Sequence, residues 1–304
     1  MEIIRFDYRH APQIEKGASI CLGSFDGMHR GHQRLFFEAK YNAKNLAAIL
    51  LFSKPIYSLL HPEKEASVLT SLEDQLRLAN GYGIDVAYVC EIDEEFVHLS
   101  KEDFMKRVLD PLHPEGIYVG ADFRFGENRF GTIEDLKNAY PTHVIPFVEE
   151  DGKKIASSSI RNFIREGDME KTRKHLGRPY EIKGHVGHGK QIGTTLGYPT
   201  LNLILDASYL LPKHGVYAAI VYLHGVPYKA ALNIGLNPTI GGLTAPSIEA
   251  FLLGYSGLDA YGKTAYIQLV SYLREEKKFP NLEALSEQIK KDVDVVEKTL
   301  SNTR

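Results

Sequence analysis

The chain has only two cysteines in 304 residues, Cys21 and Cys90, and each sits in an apolar, strand-like run. That scarcity excludes a disulfide framework, makes both thiols core residues, and fits a reducing compartment. No stretch approaches the roughly 18 uncharged apolar residues that a membrane helix needs. Glu2, Arg5 and Asp7 interrupt the start, so no signal peptide is read there and a cytoplasmic protein is expected. Neither charge sign dominates. A formal net charge of -3 argues against a general polyanion-binding surface, and nucleic acid is not an expected partner. Internal repeats and low-complexity segments are absent as well. What is present is an ordinary globular composition, 43% hydrophobic and 25% charged, in a chain long enough for two cores.

The two halves differ in texture. In the first, short apolar runs alternate with helix-like stretches over residues 18–22, 31–42, 46–52, 71–79, 86–89, 101–109 and 117–119. Such alternation predicts a parallel sheet wrapped by helices. A helical connector follows: Ile160, Phe163 and Ile164 share a face, Gly167 stops that turn, Asp168 caps a second helix and Gly177 ends it. From about Pro179 strand-like runs punctuated by Gly, Pro and Asn predict a small antiparallel β domain closed into a barrel. After Pro280, Leu282, Leu285, Ile289, Val293, Val296 and Leu300 form one apolar stripe, expected to pack a helix against that barrel.

Between the first of these strands and the next helix the chain reads Gly23-Ser24-Phe25-Asp26-Gly27-Met28-His29-Arg30-Gly31-His32. A strand end feeding a helix N-terminus is where phosphates bind. Gly23 and Gly27 let backbone approach a ligand, and His29 and His32, three apart, project from one helix face toward the same phosphates. The arrangement suits nucleotidyl transfer. A phosphate oxygen attacking the α-phosphorus of ATP is already ionised, so donors on the developing oxyanions help more than a strong base. Zinc is a competing reading of paired histidines, but no cysteine or third histidine lies nearby and the spacing is not HExxH. A structural pair at a capping turn is another. Ser157 and Ser158 precede a helix whose N-terminus can receive a phosphate, and Arg161 offers a planar donor fork; an N-cap followed by a surface arginine fits the same residues.

In the second half, residues 188–202 place Gly189, Gly193 and Gly197 in a segment joining two strands, a composition suited to a loop folded over phosphates, though not a Walker loop. Thr200 and Asn202, two apart on an extended segment, face one side, so a hydroxyl and an amide oxygen can both meet Mg²⁺. A turn with its own hydrogen bonds uses the same residue types. Glu249 stands in an apolar strand and therefore needs a partner or a task, unless it faces solvent from an edge strand.

The ten-residue string resembles the HxGH nucleotidyltransferase superfamily. In its G-x-F-D-G-x-H-x-G-H form it is similar to the adenylyltransferase domain of bacterial bifunctional riboflavin kinase/FAD synthetases. Val119-Gly120-Ala121-Asp122-Phe123-Arg124-Phe125-Gly126 and Ser157-Ser158-Ser159-Ile160-Arg161 follow in that family's order. The run through Pro199-Thr200-Leu201-Asn202 resembles the riboflavin kinase signature ending in Pro-Thr-Ala-Asn, and residues 233–239, 248–250, 259–262 and 273–279 match further blocks.

The resemblance implies an α/β Rossmann-like nucleotidyltransferase domain with a doubly wound parallel sheet over residues 1–178, connector included, and a small antiparallel β-barrel riboflavin kinase domain with a C-terminal helix over 179–304. It implies phosphorylation of riboflavin to FMN by ATP, then adenylylation of FMN to FAD with release of pyrophosphate, each with Mg²⁺. Small molecules, namely ATP, riboflavin and FMN, are the implied partners. On the same basis Gly23, Phe25, Asp26, Gly27, Ser157, Ser158, Gly189 and Gly193 bind ATP phosphates, and Asp122, Phe123, Asn233 and Arg274 bind flavin. Thr200 and Asn202 hold Mg²⁺, Glu249 is the kinase base, and His29, His32 and Arg161 serve adenylyl transfer. Simpler roles stand beside these: a turn carboxylate for Asp122, core packing for Phe123 and Phe125, a surface ion pair with a neighbouring Glu for Arg274.

Four positions depart from the family pattern. Phe52-Ser53-Lys54-Pro55-Ile56 lacks the histidine of Phe-x-Pro-His-Pro, with Lys54 as a replacement positive charge. Leu201 replaces an alanine, Asn237 an arginine, and Ala260 interrupts Asp-Leu-Tyr-Gly. Leu201 is expected to point away from Thr200 and Asn202. These departures suggest as a rival an adenylyltransferase whose barrel binds flavin without phosphorylating it; a non-catalytic flavin or nucleotide sensor is the rival from another class.

Overall fold

Apolar runs separated by glycine-rich turns become the strands of one parallel sheet in the first half of the chain. A computed structural model describes residues 1–14, 16–64, 66–188, 200–238, 244–255 and 260–301, in two compact units, Met1–Ser157 and Ser158–Arg304. In the first unit, strands β1 (Glu2–Asp7), β2 (Ala18–Cys21), β3 (Leu46–Phe52), β4 (Val86–Glu91), β5 (Gly116–Gly120) and β6 (Thr142–Ile145) stand in the order β1-β4-β3-β2-β5-β6. Every pairing in it is parallel. Helices α1 (Arg30–Asn42), α2 (Ile56–Leu60), α3 (Leu72–Gly81), α4 (Lys101–Phe104) and α5 (Ile133–Ala139) lie in the connections, and α4 runs on through a π turn, Met105–Leu109.

Alternate residues of the central strands feed two cores. Ile20, Leu50 and Tyr88 lie in one, and Cys21, Ile49 and Val89 in the other. With both faces covered, the strands read as continuous apolar runs. Each such Leu, Ile or Val contributes about 1.5–3 kcal/mol on burial. The edge strands β1 and β6 are half wet and carry Glu2, Arg5, Thr142 and His143, which is why neither stood out in the sequence. Both cysteines are buried as expected. Burial pushes the Cys21 thiol far up, and burial aided by Asp7 and Glu91 pushes Cys90 up to about 12, so neither supplies a thiolate nucleophile near neutrality.

After the short hairpin β7 (Glu149–Glu150) and β8 (Lys153–Lys154) come α6 (Ser157–Glu166) and α7 (Met169–Leu176). Ile160 and Ile164 are fully buried, the Asp168 side chain caps α7 by accepting from Lys171 N at 2.9 Å, and Gly177 ends it at φ 74°. The helix α6 starts at Ser157, so Ser157 and Ser158 lie in its first turn, not ahead of it.

The second unit is the expected barrel. Strands β9 (Tyr180–Gly187), β10 (Thr200–Leu205), β11 (Gly215–Leu223), β12 (Val226–Pro238), β13 (Thr244–Leu252) and β14 (Thr264–Arg274) close in the order β10-β13-β12-β11-β14-β9. Ile182, Tyr217, Leu232 and Ala250 are fully buried among the interior rows. The C-terminal helix α8 (Leu282–Ser301) seats Val296 and Leu300 against Ala218, Ala231 and Leu273 of the wall. Its stripe is not uniform: Leu282 is 53% exposed, and the N-terminal half serves a cavity described below.

One cap of the first unit makes stability pH-dependent. Thr132 and Asp135 form a reciprocal capping box at the start of α5, and Lys101 Nζ donates to Asp135 Oδ1 at 2.6 Å. Lys101 first, then Thr132, draws the Asp135 carboxyl down to about 2. Folding therefore lowers this pKa below an unfolded value of roughly 3.9, so the stabilisation is complete above that value and is lost as pH falls through about 2. In urea unfolding followed by circular dichroism, D135N is less stable than wild type at pH 7, and the difference narrows steadily below pH ~4.

Candidate active sites

In the first sheet β3 lies on one side of β2 and β5 on the other. The C-terminal ends of β2 and β5 are thus the topological switch point where ligands bind in open α/β sheets. Leu22 N donates to Tyr118 O at 3.0 Å, after which the histidine-bearing segment leaves this crevice.

That segment is a strained turn. Phe25 (φ 51°) and Met28 (φ 41°) both adopt left-handed conformations without being glycine, alongside Gly27 at φ 85°. Each such residue costs on the order of 1–3 kcal/mol, and the surroundings over-determine it: Phe25 and Met28 are 0% exposed, with Phe25 packed on Phe36 at 5.1 Å. The Asp26 carboxylate accepts from Leu69 N at 2.8 Å and Thr70 N at 3.3 Å. Gly27 N donates to Thr70 Oγ1, Gln75 Nε2 to Ser24 O, and Ser157 Oγ to Asp26 O at 2.8 Å. Thr70 and Gln75 escaped the sequence reading because their role is visible only once the start of α3 and the residues ahead of it lie beside the turn.

The turn delivers the two imidazoles. His29 is the N-cap of α1; its Nδ1 accepts from His32 N at 3.4 Å, which assigns the ring proton to Nε2. The rings stack with centroids 3.6 Å apart and planes inclined by 16°, and Phe25 meets His32 edge-on at 5.2 Å. Gly31 makes room, since a Cβ there would stand 3.1 Å from the His29 ring. The two imidazoles thus stand beside the positive end of a helix.

Around the same sheet edge, Asp122 pairs with Lys154, whose ammonium sits 4.0 Å over the Phe147 ring. Phe123 stacks on the buried Phe125. Lys54, just past β3, is exposed. Arg161 is partly exposed and, four residues on, shares the helix face of Ser157.

In the barrel, Asn202 pairs across strands with Glu249, and Glu249 with Asn233. Three candidate residues therefore form one transverse row over β10, β13 and β12. The parallel row Thr200, Phe251, Ala231 shares their face, whereas Leu201, Ala250 and Leu232 turn the opposite way, as expected for Leu201. This face opens on a cavity of about 350 Å³ lined by Thr200, Asn233, Glu249 and Arg274. Apolar walls come from Val216, Phe251, Phe279, Leu285 and Ile289. Ser247 Oγ lies 3.4 Å from Glu249 Oε1, and Asn233 Nδ2 donates to Glu276 Oε1 at 3.2 Å. Arg274 bonds Asp292 of α8, not a neighbouring glutamate side chain. Gly189 and Gly193 lie outside the described residues.

The first site can stabilise charge on phosphates without a base; the second places a carboxylate, oxygen donors and an arginine around an apolar slot. Comparison with known proteins shows which family carries such a chain. Residues 11–159 match the family model described as FAD synthetase and residues 176–300 the one described as riboflavin kinase. Bifunctional riboflavin kinase/FMN adenylyltransferases from Bacillus subtilis (34% identity, 97% of this chain and 96% of the relative) and Listeria monocytogenes (36%, 90% and 89%) align along the chain. The Escherichia coli protein of that name aligns at 30% identity over 96% of both. A crystal structure described as a macrolide-efflux protein from Streptococcus pneumoniae superposes with a TM-score of 0.87 at 28% identity, covering 98% of this chain and 99% of that one. No helix among the described residues here is long and apolar enough to cross a membrane. Two domain matches and full-length relatives above 30% identity place this chain in the bifunctional riboflavin kinase/FMN adenylyltransferase family.

Proposed function

We infer that the protein makes FAD from riboflavin in two ATP-dependent steps, phosphorylation to FMN and adenylylation of FMN with release of pyrophosphate. The family supports the pair of reactions. The observation that carries the kinase half is the row Asn202, Glu249, Asn233 beside Thr200 on one cavity-facing surface, with the substituted Leu201 on the other. Adenylyl transfer falls to residues 1–178 and phosphoryl transfer to 179–304; the family matches over 11–159 and 176–300 support that order of activities.

In the barrel, the ribityl hydroxyl is a neutral nucleophile and needs a base. Glu249 accepts its proton as the oxygen attacks the γ-phosphorus, with Ser247 orienting the carboxylate. Asn233 and Arg274 hold the flavin, and Phe251, Phe279, Leu285 and Ile289 keep water from it. Thr200 and Asn202 supply hard oxygen donors on one strand face, which suits Mg²⁺, an ion that takes its other ligands from water and phosphates. Among the described residues no group of three or more His, Cys, Asp or Glu could cage a metal by itself. Thr200 and Asn202 would hold the ion there, and it would supply positive charge against the phosphates of ATP.

In the first unit the FMN phosphate is already ionised. His29 and His32 stabilise the α-phosphate and the leaving pyrophosphate beside the α1 N-terminus; for Arg161, on α6, the role in adenylyl transfer rests on the family resemblance. Gly23 and Gly27 let ATP approach, and Ser157 and Ser158 lie in the first turn of a second helix. Phe25 and Asp26 act by holding the turn, and Lys54 adds positive charge at the same sheet edge. Asp122 and Phe123 face the flavin. Small molecules are the partners, and buried reduced thiols accord with a cytoplasmic location.

Incubation with riboflavin, ATP and Mg²⁺, followed by chromatography, yields FMN and FAD; FAD made from FMN but not from riboflavin overturns the kinase half. E249Q lowers FMN formation about 10²-fold or more and leaves FAD formation from FMN intact; wild-type FMN formation refutes the base assignment. H29N or H32N does the reverse, lowering adenylyl transfer by about 10²–10³, so that FMN accumulates. G31A, which crowds the His29 ring, weakens the same step about tenfold, read as initial rate of FAD formation.

A further inference from the structure

The apolar face of α8 is broken by one carboxylate. Leu285, Ile289, Val296 and Leu300 share a helical face, and Asp292 falls on it between Ile289 and Val296. Asp292 is 6% exposed, where a charge is unfavourable unless paired. It is paired twice. Arg274 Nε approaches Oδ1 at 2.9 Å and Oδ2 at 3.2 Å, Arg274 Nη2 donates to Oδ2 at 2.7 Å, and Gln288 Nε2 donates to Oδ1 at 2.9 Å. For stability alone, well-packed apolar side chains serve as well as a buried ion pair. What this pair adds is direction.

A guanidinium has five N–H groups in a fixed plane. Here Nε–H and one N–H of Nη2 are spent on Asp292, and one of Nη1 on Glu275 O at 2.8 Å. One N–H on each terminal nitrogen is left, and both Arg274 and Asp292 line the cavity assigned to riboflavin.

We infer that Asp292 is a positioning residue. It clamps Arg274 so that the two remaining N–H groups address an acceptor of the flavin, and Gln288 holds the carboxylate in turn. The inference rests on the proposed flavin-binding role of Arg274. The last helix thereby joins the kinase site by directing a binding residue of the barrel, in addition to closing an apolar wall.

The test compares R274A, D292N and the double variant, measuring kcat and KM for riboflavin in FMN formation, with FAD formation from supplied FMN as a check on the intact chain. D292N raises the riboflavin KM about tenfold, with kcat changed far less and FAD formation unaltered. R274A raises KM at least as much, and adding D292N to it raises KM no further, because the carboxylate acts through the arginine. Q288L leaves the ion pair in place and covers the case in which D292N folds poorly; it gives a smaller rise of the same kind, about threefold. Multiplying effects of R274A and D292N, or an unchanged KM in both D292N and Q288L while R274A is impaired, overturn the positioning role. An unchanged KM in R274A overturns the flavin assignment of Arg274 itself.

Discussion

Strand register decides where the reactive groups of the barrel stand. Asn202, Glu249 and Asn233 come from segments up to 47 positions apart in the chain, yet they share a row because β10 pairs with β13 and β13 with β12 at one registry. A slip of one residue would turn Glu249 into the barrel interior and bring Ala250 out to the cavity. Interior residues such as Leu232 and Ile248 guard against that slip, since each would have to exchange burial for solvent. Packing that has no chemistry of its own therefore holds the chemistry in place.

The first unit solves the same problem differently. Its strands place only the crevice, and a strained turn completes the site. Phe25 and Met28 accept left-handed backbone because their side chains are core residues, and Asp26 ties the turn to the backbone ahead of α3. Strain of this sort persists where surrounding structure over-determines it. The product is a pair of stacked imidazoles at a helix N-terminus.

The two sites also divide chemical labour by the nature of their nucleophiles. An ionised phosphate oxygen needs stabilisation of charge, the task proposed for the histidines and the helix end; a hydroxyl needs its proton removed, the task proposed for Glu249. The C-terminal helix takes part in the second task. Its apolar residues wall the cavity while its one buried carboxylate turns the Arg274 fork.

Much of this was legible in the residues alone. Alternating apolar runs announced a parallel sheet with covered faces and Gly- and Asn-punctuated runs announced a barrel, while the decapeptide around His29 and His32 and the spacing of Thr200 and Asn202 singled out both candidate sites, because local spacing and residue type carry those signals. Edge strands β1 and β6 were not legible, since half-wet strands lose their apolar signature. Nor were Thr70, Gln75 and Glu276, whose roles come from partners distant in sequence. Asp292 left a faint trace as a carboxylate within an apolar stripe, but its meaning depended on which arginine the folded helix met. The sequence by itself determined the fold class and the family's motifs, which are local properties of spacing and side-chain type. Which strand faces met, which turn carried strain and which arginine was clamped were decided by tertiary packing, because those contacts join residues that no local pattern connects.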